Sequence, residues 1–387
     1  MISYTDMVDI AAFATLASFI SSLLIIFTQD WHGRLSLDKD VGCIQKFHKH
    51  PVPRIGGIAL LVGISTVVIV QAIDSEFAVH LDRAELIKLL FASLPAFITG
   101  LIEDLTKRVS VRARLLATFS SALLASWLLN ASLSRLDLWG VDTVLQLLPL
   151  LAVGVTAVAV AGVANSINII DGFHGVAASA VVIMLAGLAY LSWESNDMFV
   201  MHLAMLGIGA TLGFLLVNYP TGRLFMGDGG AYFLGFWLAE VAVLLVIRNP
   251  EINAWQVLAV CSYPVIEVLY SMYRRKIIRK TSPGAPDRLH LHTLFYRRVV
   301  CLRFARNDHR PWARNAVVAC FVAGWIATAT LVTVLIGDTV GNAVAVLVAH
   351  VLIYMAVYTR LVRGRWDTNP AIALGLFRSQ SVAREWQ

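Results

Sequence analysis

The chain has 387 residues, of which 58% are hydrophobic and only 14% are charged. Because an average soluble domain carries about 25% charged residues, this composition excludes an ordinary soluble protein and indicates a polytopic membrane protein. We interpret the formal net charge of +6 as favouring attraction to anionic lipid headgroups rather than nucleic-acid binding.

Apolar segments close to the roughly 20 residues needed to cross a bilayer recur along the chain. The first begins after Asp6 and Asp9 with no Lys or Arg before it, so we expect a retained anchor rather than a cleaved leader. The predicted fold is an all-α polytopic integral membrane protein with about eleven transmembrane helices, at 8–28, 55–73, 86–102, 113–130, 146–164, 175–193, 199–217, 231–247, 254–272, 314–336 and 340–362.

Basic residues are concentrated on alternate loops. Of the 31 Lys and Arg residues, 24 fall in the loops 29–54, 103–112, 165–174, 218–230 and 273–313 and in the C-terminal tail 363–387, whereas the opposite loops hold only Arg83, Arg135 and Arg248. The positive-inside rule therefore predicts that the basic side and the C-terminus are cytoplasmic and that the N-terminus is outside. Residues 1–362 would form one transmembrane domain with its functional site at the cytoplasmic face.

A short acidic and basic segment joins the third and fourth predicted spans. Glu103 and Asp104 are adjacent carboxylates that could take up a proton or bind a cation, and Arg112 and Arg114 could bind phosphate. The alternative is structural, because Glu103–Lys107 and Asp104–Arg108 have the i,i+4 spacing of ordinary ion pairs on a solvated helix end.

The segment Asn165–Gly175 places amides, a carboxylate and an imidazole between apolar spans. Asn165, Asn168 and Asp171 recur every three residues, so they would share one face of a helical turn. Polar side chains at the end of a membrane helix usually mark a functional site, because leaving them unsatisfied is costly. Helix capping would explain one such residue but not three at this spacing.

Two further cytoplasmic loops carry candidate residues. Asp228 is flanked by Gly227 and Gly229 directly before a span, which suits a magnesium ligand, although helix capping is an equal alternative. His290 and His292 follow a basic run. Two imidazoles are too few for a closed zinc site, so phosphate or nucleotide contact is favoured over zinc, with two solvated loop histidines as the alternative.

In this order, the motifs resemble those of the polyprenyl-phosphate N-acetylhexosamine-1-phosphate transferases, the glycosyltransferase family 4 enzymes that include those starting O-antigen and teichoic-acid synthesis. The resemblance extends from about Pro51 to His292. Its carriers are Pro53-Arg54-Ile-Gly56-Gly57, Gly100-Leu-Ile-Glu103-Asp104, Asn165-x-x-Asn168-x-x-Asp171-Gly172-x-x-Gly175, Phe225-Met226-Gly227-Asp228 and Asp287-Arg288-Leu-His290-Leu-His292.

The resemblance implies a bacterial inner-membrane enzyme in which a polyprenyl phosphate, such as undecaprenyl phosphate, attacks a UDP-N-acetylhexosamine and releases UMP. It also implies a role for each candidate residue. The metal ligands, for Mg²⁺ with Mn²⁺ as an alternative, would be Asn168 and Asp228; the nucleotide contacts Asn165 and Asp171; the diphosphate contacts Arg112 and Arg114; the phosphate contacts His290 and His292; and the groups that deprotonate or orient the lipid phosphate Glu103 and Asp104.

Three positions depart from the family pattern, namely Glu103 in place of Asp, His174 in place of a second Asp, and Thr293 in place of a third His. A transporter or flippase for nucleotide sugars or lipid-linked sugars is the competing hypothesis. It predicts ionisable residues near mid-membrane, and Glu240 and Glu267 are the main residues of this kind. The sequence leaves open the sugar, the glycan pathway and the oligomeric state, for which a homodimer is one option.

Overall fold

The computed structural model describes residues 4–38, 51–74, 77, 81–281, 287, 289–304, 310 and 312–364. The predicted tail 363–387 lies outside the described residues beyond Gly364. The described helices are α1 (Tyr4–Phe27), α2 (Gln29–Ser36), α3 (Gly56–Ile73), α4 (Arg83–Thr106), α5 (Val111–Leu128), α6 (Val141–Leu147), α7 (Pro149–Ile170), α8 (Val176–Glu194), α9 (Met198–Asn218), α10 (Gly227–Arg248), α11 (Ala254–Val260), α12 (Ser262–Tyr273), α13 (Leu291–Phe295), α14 (Cys301–Arg303), α15 (Ala313–Ile336) and α16 (Val340–Val362). Two π-helical turns, Arg274–Ile278 and Tyr296–Val300, continue α12 and α13.

The predicted all-α polytopic class is confirmed, and a helix is present at each predicted span. Among the described residues, nine helices are long and apolar enough to cross a membrane, so the predicted count of eleven is not confirmed. Two of the eleven predicted spans are not among these nine helices, each for a physical reason. Helix α5 carries two arginines and several hydroxyl side chains, and the predicted span 254–272 is interrupted at Cys261, between α11 and α12.

Helix α10 is the centre of the bundle. Nineteen of its 22 residues are buried, and it packs against α3, α4, α7, α8 and α9. A helix that is apolar on all sides is expected at such a position. Its first turn, which carries Asp228, therefore lies where several other helices end.

A small hairpin fixes the start of α10 against the start of α3. Strands β1 (Leu37–Asp38) and β2 (Val52–Pro53) pair antiparallel. Beyond β2 the backbone continues to pair, because Phe225 N–H donates to Pro53 O over 2.8 Å, Gly56 N–H to Phe225 O over 3.0 Å, and Gly57 N–H to Met226 O over 2.9 Å. The Phe225–Asp228 motif is thereby held by main-chain bonds to the Pro53–Gly57 motif.

Glycines allow α3 and α4 to approach the first turn of α10 closely. A Cβ atom on Gly57 would lie 2.4 Å from the backbone nitrogen of Gly230, and one on Gly100 would lie 2.5 Å from that of Gly229. Contacts this short with backbone atoms cannot be relieved by a side-chain rotation. Glycine at these two positions is therefore required by packing.

We expect Gly100→Ala to destabilise the protein by about 1–3 kcal/mol, the usual cost of overpacking, because its new methyl group meets the α10 backbone. Gly162→Ala in α7 is the matched control, since a Cβ there meets nothing within 4 Å. It should keep or slightly raise the stability, because alanine favours helix over glycine. Thermal unfolding in detergent measures both, and equal midpoints for Gly100→Ala and the wild type would contradict the packing argument.

Candidate active site

A cavity of about 680 Å³ lies at the end of the bundle where α7 ends and α10 begins. Its walls include residues from all five of the basic-side loops: Asp38 and Arg54, then Val111, then Asp171 to His174, then Asn218 and Phe225 to Asp228, and finally Arg275, Asp287 and His290. The loops that the Lys and Arg distribution placed on one side therefore converge on one cavity.

Seven of the ten candidate residues line this cavity: Arg114, Asn165, Asn168, Asp171, Asp228, His290 and His292. The other three, Glu103, Asp104 and Arg112, do not. The polar segment Asn165–Asp171 is the end of a helix rather than a loop, because α7 continues to Ile170 and Asp171 caps it.

Asp228 is at the centre of the polar wall. Its Oδ2 accepts a short hydrogen bond from Arg114 Nη1, and its Oδ1 accepts one from Asn168 Nδ2 over 3.1 Å. The guanidinium of Arg54 is 3.6 Å from the same Oδ1. Tyr232 donates its O–H to Asn168 Oδ1 over 3.3 Å. A carboxylate between two cations and an ordered amide can exchange these partners for a cation or a phosphate ligand.

Asp104 is buried beneath the first turn of α10, with only 2% of its surface exposed. Its two oxygens accept the backbone N–H groups of Asp228 and Gly229, each over 2.9 Å, and Arg54 lies 3.4 Å from Oδ1. A carboxylate is stabilised at a helix N-terminus by the free N–H groups and the helix dipole. Asp104 therefore positions Asp228 from behind rather than facing the cavity.

Glu103 and Arg112 lie around the outside of the same helix ends. Glu103 Oε2 accepts the backbone N–H of Val109 over 2.7 Å, which orders the turn between α4 and α5. Arg112 is exposed. Residues two apart on a helix point about 200° apart, so Arg114 faces the cavity and Arg112 does not.

Asn165 and Asp171 extend the polar wall along α7. Asn165 Nδ2 donates to Thr118 Oγ1 over 3.0 Å and to Ala161 O over 2.7 Å. Burial and the negative charge of Asp228 raise the pKa of Asp171 to about 7, although Arg54 opposes the shift. Asp171 is therefore a cavity-lining carboxyl group that titrates near neutral pH.

His290 and His292 line the cavity beside the end of α7 with their rings stacked, 5.4 Å between centroids and 5° between planes. Nδ1 of His290 contacts Glu267 Oε1 at 2.9 Å. Burial lowers the pKa of His292 to about 4, although the charge of Glu267 opposes this, so this imidazole is neutral at pH 7. Its Nδ1 has no hydrogen-bond partner among the described residues.

His174, one of the departures from the family pattern, is buried in the cavity wall. Its ring stacks on Phe225 with 5.7 Å between centroids and 14° between planes, and its Nε2 is 3.1 Å from Asn315 Nδ2. The residue therefore joins the α7–α8 turn to α15.

Several residues of the site were not among the sequence candidates. Tyr232 lies one turn after Asp228 on the same helix face, and that i,i+4 spacing is a signal that could have found it. For the segment that contains Arg54, the sequence left substrate contact and a snorkelling helix-end side chain equally open. Asp38 carries no local signal, because it acts across a contact between segments distant in sequence. Glu267 was noted only as a mid-membrane carboxylate, and its contact with His290 is tertiary.

Comparison with known proteins finds similarity in the motif-bearing region of the chain. The sequence model described as glycosyl transferase family 4 matches residues 86–246. This region contains the acidic pair, the Asn165–Asp171 segment and Asp228.

Similar proteins come from several bacteria. A Bacillus subtilis protein named "Probable undecaprenyl-phosphate N-acetylglucosaminyl 1-phosphate transferase" is 25% identical over 251 residues, which are 64% of this chain and 66% of that protein. A Thermotoga maritima undecaprenyl-phosphate alpha-N-acetylglucosaminyl 1-phosphate transferase is 27% identical over 286 residues, 74% of this chain and 80% of that protein. A phospho-N-acetylmuramoyl-pentapeptide-transferase of Halalkalibacterium halodurans is 27% identical over 251 residues, 61% of this chain and 74% of that protein.

These matches and the helical membrane architecture agree with the resemblance carried by the motifs. The matched segment spans just under two thirds of the Bacillus relative, at 66% of its length. The chain is similar to glycosyl transferase family 4 over residues 86–246, and these matches support the polyprenyl-phosphate N-acetylhexosamine-1-phosphate transferases that its motifs predicted.

Proposed function

We propose that this protein transfers an N-acetylhexosamine 1-phosphate from a UDP-linked sugar to a polyprenyl phosphate. An oxygen of the lipid phosphate bonds to the β-phosphorus of the sugar nucleotide. The bond from that phosphorus to the bridging oxygen breaks, and UMP leaves with the oxygen and its electron pair. The single observation that carries the proposal is the gathering of Asp228, Asn168 and Arg114 in one cavity at the end of a membrane bundle.

Phosphoryl transfer depends mainly on alignment and on neutralising negative charge. Arg54 and Arg114 supply two cations on either side of Asp228, and both line the cavity. Arginine is suited to this role because its planar guanidinium can bind phosphate with two parallel hydrogen bonds. We assign Arg114 to the diphosphate of the sugar nucleotide. Arg112 faces away from the cavity, so its predicted diphosphate contact has no geometric support.

The residues around Asp228 fit a magnesium ion. Mg²⁺ usually binds proteins through one or two carboxylates, with water and substrate phosphates completing its shell, and Asp228 with the Asn168 amide provides such a partial set. Among the described residues, no group of three or more His, Cys, Asp or Glu side chains could hold a metal, so a cage made entirely by protein is not expected. Bound Mg²⁺, or Mn²⁺ in its place, would neutralise charge on the transferred phosphoryl group.

The other cavity residues are assigned to the donor substrate. Asn165 and Asp171 at the end of α7 would contact the nucleotide, and His290 and His292 beside that end would contact its phosphate region. The cavity that these residues line has a volume of about 680 Å³.

The roles that we propose for Glu103 and Asp104 differ from those that the family resemblance implies. A phosphate monoester is already largely ionised at pH 7, so positioning matters more than a strong base. Asp104 is committed to the α10 backbone and is therefore proposed to hold Asp228 in place. A catalytic role for Glu103 stays a prediction, and its contact with Val109 supports a role in ordering the turn.

The proposed enzyme also has an expected membrane location and pathway. The Lys and Arg distribution supports a cytoplasmic cavity in a bacterial inner membrane, with the N-terminus outside and the C-terminus in the cytoplasm. There the enzyme would initiate a lipid-linked cell-surface glycan, of which the O-antigen of lipopolysaccharide is one example. The named relatives act on different sugars, so the choice among N-acetylhexosamines is left to experiment.

The test is release of UMP by purified protein from a panel of UDP-N-acetylhexosamines with undecaprenyl phosphate and Mg²⁺. We expect Asp228→Asn to reduce kcat by about 100-fold or more, the effect typical of losing an essential charge-stabilising group, and chelation by EDTA to stop the wild-type reaction until Mg²⁺ is restored. Asp338→Asn, an exposed carboxylate outside the cavity, should keep full activity. UMP release by no sugar would disprove the enzyme, and full activity of Asp228→Asn would disprove its role.

The titration of Asp171 should be visible in stability. Its pKa is about 7 in the folded protein and about 3.9 in an unfolded chain, so the folded state binds the proton more tightly. This stabilising contribution is fully present below the unfolded pKa and is lost as the pH rises through the folded value. Asp171→Asn cannot ionise and should therefore gain melting temperature relative to wild type between about pH 5 and about pH 8.5. A difference that does not change with pH would contradict the assignment.

A further inference from the structure

Glu267 has a buried carboxylate that the sequence placed near mid-membrane. Its contacts indicate a role in the candidate active site. It belongs to α12 and has only 1% of its surface exposed. Rather than standing alone, it accepts hydrogen bonds from the loop that carries the two cavity histidines. Burying a carboxylate is costly unless its oxygens are satisfied, so such a complete set of partners suggests a specific role.

The partners of Glu267 come from three sides. Oε1 is 2.9 Å from His290 Nδ1 and accepts the backbone N–H of Leu291 over 3.1 Å. Oε2 accepts the hydroxyl of Tyr354 in α16 over 3.0 Å. One side chain therefore connects α12 and α16 with the residue before α13 and with the first N–H of that helix.

We propose that Glu267 is a positioning residue for the donor-substrate site, fixing His290 so that its Nε2 is the nitrogen presented to the cavity. The inference rests on the proposed function. An ionised carboxylate can only accept hydrogen bonds, so Nδ1 of His290 must carry the proton. Nε2 is then left for another partner, and its 3.8 Å separation from Asp287 Oδ2 is longer than a hydrogen bond.

The second anchor of the loop supports this assignment. Asp287 accepts hydrogen bonds from Ser271 over 2.7 Å and from Leu289 N–H over 3.1 Å, and it forms a close ion pair with Arg274. Burial acts to raise the pKa of Asp287, but the hydrogen bonds from Arg274 and Ser271 outweigh it and hold the pKa at about 2. The backbone is therefore fixed on both sides of His290, and Glu267 adds the control of ring orientation that backbone anchoring cannot provide.

Stacking transmits the orientation to the neighbouring histidine. The ring of His292 lies parallel to that of His290, and a Cβ on Gly172 would be 3.1 Å from His292 Nε2. A rotated His290 ring would therefore disturb the packing of His292 beside the end of α7. Both histidines of the donor site depend on the one carboxylate.

The experiment compares three substitutions at Glu267. Glu267→Met removes the acceptors at similar volume, Glu267→Asp withdraws them by one methylene, and Glu267→Gln keeps an oxygen for His290 Nδ1. We expect Met and Asp to lower kcat/KM for UDP-N-acetylglucosamine by about 10- to 100-fold, as loss of a partner that orients a functional histidine typically does, with KM for undecaprenyl phosphate unchanged. Gln should recover most of the loss. Glu85→Gln, an ion-paired carboxylate near the start of α4, should match wild type.

A double-mutant cycle with His290→Gln separates positioning from bracing of the bundle. If Glu267 acts through His290, Glu267→Met adds no further loss to His290→Gln, whereas independent effects would add. Additive losses, or full activity of both Met and Asp, would overturn the inference. Should Glu267→Met not fold in detergent, Glu267→Asp takes its place in the cycle.

Calorimetric binding of UDP-N-acetylglucosamine to the same proteins distinguishes failure of the inference from failure of the proposed function. If wild type releases no UMP, the proposed function fails and the cycle is evaluated on binding affinity alone. Weakened and non-additive binding by Glu267→Met and His290→Gln would still support the inference. Binding by Glu267→Met as tight as that of Glu85→Gln would overturn it, whatever the turnover of the wild type.

Discussion

The candidate active site depends on the buried carboxylate of Asp104, which lies beneath the first turn of the central helix α10. Asp104 accepts the N–H groups of Asp228 and Gly229, so the end of α4 and the start of α10 are held together by charge-assisted hydrogen bonds. The free N–H groups of a helix N-terminus and its dipole offset the cost of burying the carboxylate, and Arg54 adds a cation. Asp228 can face the cavity because its backbone is fixed from the opposite side.

This constraint explains why glycine surrounds the acidic residues. The sequence suggested that Gly227 and Gly229 let the backbone approach a cation. The structure adds that Gly57, Gly100 and Gly229 serve helix contacts, since a Cβ on the first two would lie about 2.5 Å from α10 backbone atoms. The motifs thus combine two requirements, polar side chains for the cavity and missing side chains for close packing. Sequence alone shows the residues but does not separate the requirements.

Much of the site could be predicted because it follows from chain order and periodicity. The spacing of Asn165, Asn168 and Asp171 predicted one helical face, and the distribution of Lys and Arg predicted which loops would meet. The direction in which each side chain points could be predicted less well than the helical face and the side of the membrane. Helical periodicity separates Arg112 from Arg114, which point in opposite directions on α5, but the predicted span began only at residue 113 and left Arg112 in the preceding loop. The burial of Asp104 and the contact from Glu267 to His290 are tertiary, so no local pattern contains them.

The charge balance of the cavity bears on how substrate and metal would bind. Its lining includes four aspartates, Asp38, Asp171, Asp228 and Asp287, and three arginines, Arg54, Arg114 and Arg275. Much of the positive charge is already neutralised by ion pairs, because Arg54 lies near three carboxylates and Arg114 pairs with Asp228. A diphosphate and a lipid phosphate would add several negative charges to a wall that has no excess of positive ones. Arginine alone would then leave the phosphates under-neutralised, and protonating Asp171 would remove only one charge. If Asp228 and Asn168 held a divalent cation, it would add two positive charges, and Arg114, released from Asp228, would present its guanidinium to the phosphates. On this argument the proposed sugar nucleotide and metal would bind together, and Arg114 would exchange one anionic partner for another.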